Sequence, residues 1–208
     1  MSYDTLYAFV LATSALAVFP GPDNIYVLMQ SLVNGVKYGL ATTAGLMAGC
    51  LVHTTLLAFG VSAIIKQSDA LFLGIKLLGA AYLLYLAFQV YKSSSSVALS
   101  DENVPKKEGW ELFRQGFIMN VLNPKVAIFF LAFFPGFLFS QTLDTVVQFY
   151  ILGGVFVIVS SVVFGAIALL SGSISKYLNN NSKIGFYLKW LQILVFVGIA
   201  LYLLISDK

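Results

Sequence analysis

The sequence predicts an all-α integral membrane protein: six transmembrane helices forming two inverted three-helix repeats, with the first and fourth helices broken. Three observations carry that expectation. Hydrophobic residues fill 59% of the 208 positions and only 10% are charged, with a mean hydropathy of +0.89, well outside the range of a water-soluble domain. The apolar residues come in runs of the roughly 20 residues needed to cross a hydrocarbon core of about 30 Å. Two proline motifs, Pro20-Gly21-Pro22-Asp23 and Asn123-Pro124-Lys125, interrupt those runs at corresponding places.

Taken in order, the apolar runs place helices at roughly 5–33, 38–64, 70–92, 111–139, 145–171 and 185–205. The first closes at Asn34-Gly35, a turn dipeptide followed by Lys37. The second carries Ala41, Gly45 and Gly49 at four-residue spacing, a stripe that lets a neighbouring helix approach closely. Lys76 opens the third at its far end, where a long side chain can reach the interface. Residues 93–110 form a polar linker with four consecutive serines, Asp101, Glu102, Lys106 and Lys107. The fourth helix contains the second proline motif, and Pro135 bends or terminates it. The expected domains are therefore a first repeat at 1–92, the linker at 93–110 and a second repeat at 111–208. Three spans is an odd number, so the second repeat enters the membrane from the opposite side, as in many secondary transporters.

Lysine and arginine placement sets sidedness. Lys37, Lys92, Lys106, Lys107, Arg114, Lys176, Lys183 and Lys189 gather on one face, against Lys66, Lys76 and Lys208 on or near the other. The positive-inside rule makes the first face cytoplasmic and puts both termini outside. Residues 1–10 lack a basic n-region, so the N-terminal run reads as the first span and not as a signal peptide.

The chemistry concentrates at the breaks. An ionised side chain within a bilayer costs several kcal/mol or more, and usually faces a partner or a wet cavity. Asp23 and Lys125 each follow a proline about ten residues, or roughly 15 Å, from the cytoplasmic end of their spans. Asn123 and Gly21 suit helix N-caps, with Pro124 and Pro22 at the first helical position. Two half-helix N-termini would then meet at mid-membrane, where their N–H groups and dipoles favour a carboxylate. Lys125 opposes the dipole of its own half-helix and needs an offsetting negative charge, from Asp23 or from a substrate. An amino-acid zwitterion offers both signs, its carboxylate to Lys125 and the Asn123 cap, its ammonium to Asp23. A plain Asp23–Lys125 ion pair locking the halves together is the bland alternative. Tyr26, one turn beyond Asp23, is a candidate for the cavity wall. His53, in the second span, is either a proton relay beside Asp23 or a hydrogen-bonded core histidine.

Other classes find no support. The chain has no HExxH, no GxSxG, no Walker loop and no Cys/His cluster, so neither an enzyme nor an ATP-driven pump is indicated, and no cofactor, metal or nucleic-acid partner is expected. Cys50 is the single cysteine and has no partner for a disulfide.

These residues resemble the LysE/RhtB family of amino-acid exporters. The resemblance rests on Phe19-Pro20-Gly21-Pro22-Asp23-Asn24, the Gly45/Gly49 stripe, Lys76 to Leu83, and Asn120 to Phe137 with Leu122-Asn123-Pro124-Lys125 and Phe133-Phe134-Pro135. It covers essentially the whole chain, and it implies proton-antiport export of amino acids or close derivatives across a bacterial inner membrane. With one intramembrane acid opposed by Lys125, a neutral substrate of the homoserine, threonine or leucine type fits better than a dication. Asp23, Asn24, Tyr26, Asn123 and Lys125 are the expected substrate contacts, Asp23 and His53 the expected proton carriers. The expected partners are the substrate, protons and the lipid bilayer, with either a monomer or a homodimer allowed. A passive facilitator for small polar solutes, or a cation exporter using Asp23 and His53, are the alternatives.

Overall fold

A computed structural model describes residues 3–19, 21–67, 69–93, 107–180 and 183–205. The described residues are helical apart from short connections: α1 Tyr3–Val18, α2 Pro22–Asn34, α3 Val36–Gln67, α4 Asp69–Lys92, α5 Gly109–Val121, α6 Pro124–Phe133, α7 Thr145–Leu169, α8 Ser171–Asn180 and α9 Lys183–Ile205. Four stretches, in α3, α4, α7 and α9, are long and apolar enough to cross a membrane unbroken. Two further helix pairs are bent, α1 and α2 by 60° and α5 and the α6 segment by 54°, which makes four to six candidate spans according to whether each pair crosses as one. The chain is a multi-pass membrane protein. Its outward-facing apolar side chains agree with a lipid surround, since Leu11, Leu78, Val162 and Leu194 are about two-thirds exposed or more.

Local chemistry explains the ends. Gly35 takes φ 106°, a conformation that favours glycine, and lets α2 turn directly into α3. Glu108 and Glu111 form a reciprocal capping box at the start of α5. Beyond α6 the chain tightens into a single 3-10 turn, Phe134–Phe137, where Pro135 cannot donate to a continuing α-helix. Asp144 caps α7 by accepting from the Val146 N–H at 2.9 Å. In the first turn of α7, Gln148 is buried and wholly committed. Its Oε1 accepts the Phe139 and Ser140 N–H groups at 2.9 Å, and its Nε2 donates to the carbonyls of Ser140 and Leu143 at 2.8 and 2.9 Å. The α8 helix was not expected from the sequence; its ten residues are too few and too polar to register as a span, yet Ser171 and Ser175 turn inward while Lys176 and Tyr177 face out.

Helix α3 is the hub, packed most extensively on α5 and α7, while α4 pairs with α9. Glycines make the α3–α5 seam possible. A Cβ at Gly45 would overlap the Phe113 carbonyl, one at Gly116 the Thr42 carbonyl, and one at Gly49 the Asn120 side chain. The Gly45/Gly49 stripe is thus a close-packing surface, as its spacing predicts. The main core is a layer of phenylalanines from α1, α6, the 3-10 turn and α7. Phe130 stacks on Phe134 with centroids 4.3 Å apart, Phe129 on Phe133 at 4.6 Å, and Phe9 touches Phe133 and Phe137 at 5.2 and 5.4 Å.

Candidate functional site

Both breaks follow the grammar of a helix restart. Gly21, extended at φ −126° and ψ 175°, caps α2 with Pro22 as first residue, and its carbonyl accepts the Ile25 N–H at 3.0 Å. Asn123 stands before Pro124 in the same way, its carbonyl accepting the N–H groups of Val126 and Ala127 at 3.1 Å. Each break also strands carbonyls at the end of the preceding half-helix, which lipid cannot satisfy. A side chain meets the need at the first break, and the backbone together with a side chain at the second. Asn24 Nδ2 donates back across the first break to the Ala17 carbonyl at 2.7 Å. At the second, the Asn120 carbonyl accepts the Asn123 N–H at 3.1 Å and also lies 3.1 Å from His53 Nε2; a carbonyl only accepts, so for that contact Nε2 carries the proton.

The two breaks sit at matching depth. Helices α2 and α5 are 13 residues each, about 20 Å at 1.5 Å per residue. Both run between a break and the face that carries the α2–α3 turn, because α3 and α5 lie side by side in the same direction. That depth is near the middle of a membrane about 40–45 Å thick with its interfaces.

Between the breaks lies a cavity of about 130 Å³. Gly21, Pro22, Asp23 and Asn24 line it from the first break, Asn123 from the second. An engineered apolar cavity of about 150 Å³ takes up benzene, so this one suits a molecule of comparable size. Most of the wall is apolar, including Leu46, Met47, Phe129, Phe156 and Phe196. Phe129 and Phe156 belong at the same time to the phenylalanine layer, which therefore forms one boundary of the cavity.

Of the residues expected from the sequence, Asp23, Asn24, Gly21, Pro22 and Asn123 come together here. Pro20 and the side chain of Lys125 lie outside the described residues; the Lys125 backbone is the second residue of α6. Tyr26 is not part of the cavity wall. Its hydroxyl accepts from Gln30 Nε2 at 3.0 Å and has Gln115 as a second hydrogen-bonding neighbour. Gln30 in turn accepts from Asn34 at 2.9 Å, which draws Tyr26 into a polar ladder running away from the breaks along α2. His53 is also off the wall: it is 6% exposed, packs on Phe130 at 5.5 Å and holds the broken end of α5.

The cavity adds residues that sequence reasoning did not single out: Asn120 on α5, Ser160 on α7 and Gln192 on α9. Their signal was present but faint, each being a small polar residue inside an apolar run, at Val159-Ser160-Ser161-Val162 and Leu191-Gln192-Ile193 for example. Among the described residues no group of three or more His, Cys, Asp or Glu could hold a metal ion.

The chain is 29% identical over 178 residues to the homoserine/homoserine lactone efflux protein of Salmonella typhimurium strain LT2, covering 86% of this chain and 85% of that one. It is also 29% identical over 197 residues to the leucine efflux protein of Salmonella choleraesuis strain SC-B67, covering 93% and 92%. No solved structure matches it. The family model described as LysE type translocator matches residues 14–207, and the chain belongs to that family of transporters.

Proposed function

We propose that the protein exports small neutral amino acids across a bacterial inner membrane, by alternating access around the cavity between the two breaks and in exchange for protons. One observation carries the reading: two helix restarts from different parts of the chain, with Asp23 at one of them, line a single cavity large enough for a small amino acid. The substrate ammonium binds at Asp23. The carboxylate binds at the N-terminal turn of α6, beside Asn123 and Lys125. A proton and the ammonium compete for Asp23, so the aspartate loads substrate when ionised on the inside and releases it when protonated on the outside. His53 is assigned the structural part of this site, holding α5, and Tyr26 a place on the approach from α2. The relatives named for homoserine and leucine efflux support a neutral substrate.

The packing supports an inverted repeat with halves at 1–92 and 111–208 joined by 93–110. Mapping α1–α4 onto α5, α6, α7 and α9 pairs α3 against α5 with α7 against α1 and maps α3–α7 and α4–α9 onto themselves, although α2–α3 has no counterpart of similar extent between α6 and α7. The face with the α2–α3 turn is taken as cytoplasmic and both termini as outside. Lys189 supports one shared face, since its Nζ donates to the Ser93 carbonyl at 2.7 Å and so lies with the end of α4. On this assignment the phenylalanine layer closes the outer side.

The test is efflux of labelled homoserine and leucine from proteoliposomes, with and without an imposed pH gradient. Wild-type protein gives saturable efflux driven by the gradient, and Asp23→Asn falls to the level of empty vesicles while still eluting as folded protein. Efflux that keeps its response to pH in Asp23→Asn contradicts the mechanism. Flux that neither saturates nor responds to pH makes the protein a facilitator.

A further inference from the structure

The cavity has a second chemical end. Seven of its lining residues carry a polar side chain: Asp23, Asn24, Cys50, Asn120, Asn123, Ser160 and Gln192. Asp23 and Asn123 hold interactions of their own, Asn24 is committed to Ala17, and Cys50 Sγ receives Asn120 Nδ2 at 3.5 Å. Ser160 and Gln192 remain, with one end of the Asn120 amide. Each residue is more than nine-tenths buried, at 2%, 6% and 4% exposure. Asn120 Oδ1 is fully buried without a hydrogen-bond partner, and exchanging the amide oxygen and nitrogen leaves one of the two unpartnered in either placement. Neither Ser160 nor Gln192 has a side-chain hydrogen bond among the described residues.

The usual resting place for such a hydroxyl is the carbonyl four residues back. Ser14, Ser31, Thr42, Thr43, Thr54 and Thr55 all donate there, at 2.7 to 3.0 Å. Ser160 sits in the same kind of helix without that bond, so its hydroxyl stays available to the cavity. A buried polar atom without a partner costs free energy, as at Asn120 Oδ1, and with Ser160 and Gln192 beside it on the wall, three helices give the cavity a polar end that a hydrogen-bonding occupant can satisfy.

We propose that Ser160 and Gln192, with Asn120, form a side-chain subsite that selects small amino acids bearing an oxygen on the side chain, a hydroxyl or a lactone ester, over their aliphatic isosteres. The inference rests on the reading of the cavity as an amino-acid site and names which amino acids it prefers. A hydroxyl can both donate to and accept from a serine or an amide, and a lactone oxygen can accept from either. A propyl side chain in the same place leaves all three groups unpaired. Sites built to bond a hydroxyl reject the analogue lacking it far more strongly than an apolar pocket distinguishes one isostere from another.

Homoserine and norvaline are the direct test, being the same size and differing in OH against CH₃. In proteoliposomes, wild-type protein should transport homoserine at least ~10-fold more efficiently than norvaline. Ser160→Ala and Gln192→Leu should each bring that ratio toward unity, and the double variant should transport norvaline at least as well as homoserine. A wild-type ratio near unity, or a ratio that neither substitution changes, overturns the subsite while leaving amino-acid export intact. Absence of transport for both compounds, with leucine also excluded, overturns the underlying reading instead. Should a variant fail to elute as folded protein, the wild-type ratio decides.

Discussion

The two helix breaks use the same restart, a cap residue and a proline, but they are held together by different means. At the first, the stranded Ala17 carbonyl is satisfied from within the motif, by Asn24 seven residues later. At the second, the Asn120 carbonyl accepts the Asn123 N–H within the break and also meets His53 from another helix, 67 positions away in sequence. The first bend has its side-chain clasp inside its own motif, while α2 packs on α3 and α1 on α7. The second bend is tied in addition to α3 through His53, and the glycines at 45, 49 and 116 let α5 lie there. One break clasped within its motif and one clasped also to the central hub is an asymmetry that a rocking motion of one body against another would use.

Substitutions at three positions sharpen or break that contrast, in falling order of effect. Gly45→Ala places a methyl group on the Phe113 main-chain carbonyl, and since neither backbone can yield without separating α3 from α5, the loss should reach about 3 kcal/mol or more. The readout is the temperature at which the monodisperse peak disappears in size-exclusion chromatography. His53→Ala removes both the donor and a ring packed on Phe130, for about 2–4 kcal/mol. His53→Gln keeps a donor and should recover part of it, whereas equal losses in the two variants would mean that packing and not the hydrogen bond holds the break. Asn24→Ala should cost only about 1 kcal/mol, because Ala17 lines the cavity and water can reach its carbonyl. If Asn24→Ala proves as damaging as His53→Ala, the first break is not self-contained.

Much of this was legible in the sequence because the strongest signals are local. Proline and glycine mark both breaks wherever they fall, and the Asn34-Gly35 turn and the Gly45/Gly49 stripe are spaced as their geometry demands. Side-chain partnership across helices is a different matter. His53 reads from sequence as a core residue or a relay, and its contact with the Asn120 carbonyl emerges only when α5 is seen lying on α3. Tyr26 sits one turn from Asp23, yet the cavity lies on another side of α2, and Gln30 and Asn34 draw the tyrosine into their own ladder. Ser160 and Gln192 are single polar residues in apolar runs, indistinguishable from tolerated exceptions until α7 and α9 bring them to one wall. The α8 helix escapes for another reason: ten amphipathic residues with several serines and asparagines carry too little periodic signal to separate from a loop.

Gln148 has a mechanical consequence. A primary amide offers two protons and two lone pairs, and here all four are spent on the backbone of residues 139–143. Freeing that segment means rupturing the whole set together, so the connection behaves as a welded elbow and not as slack tether. The segment that follows α6 is thereby fastened to the first turn of α7, the helix whose wall bears Ser160.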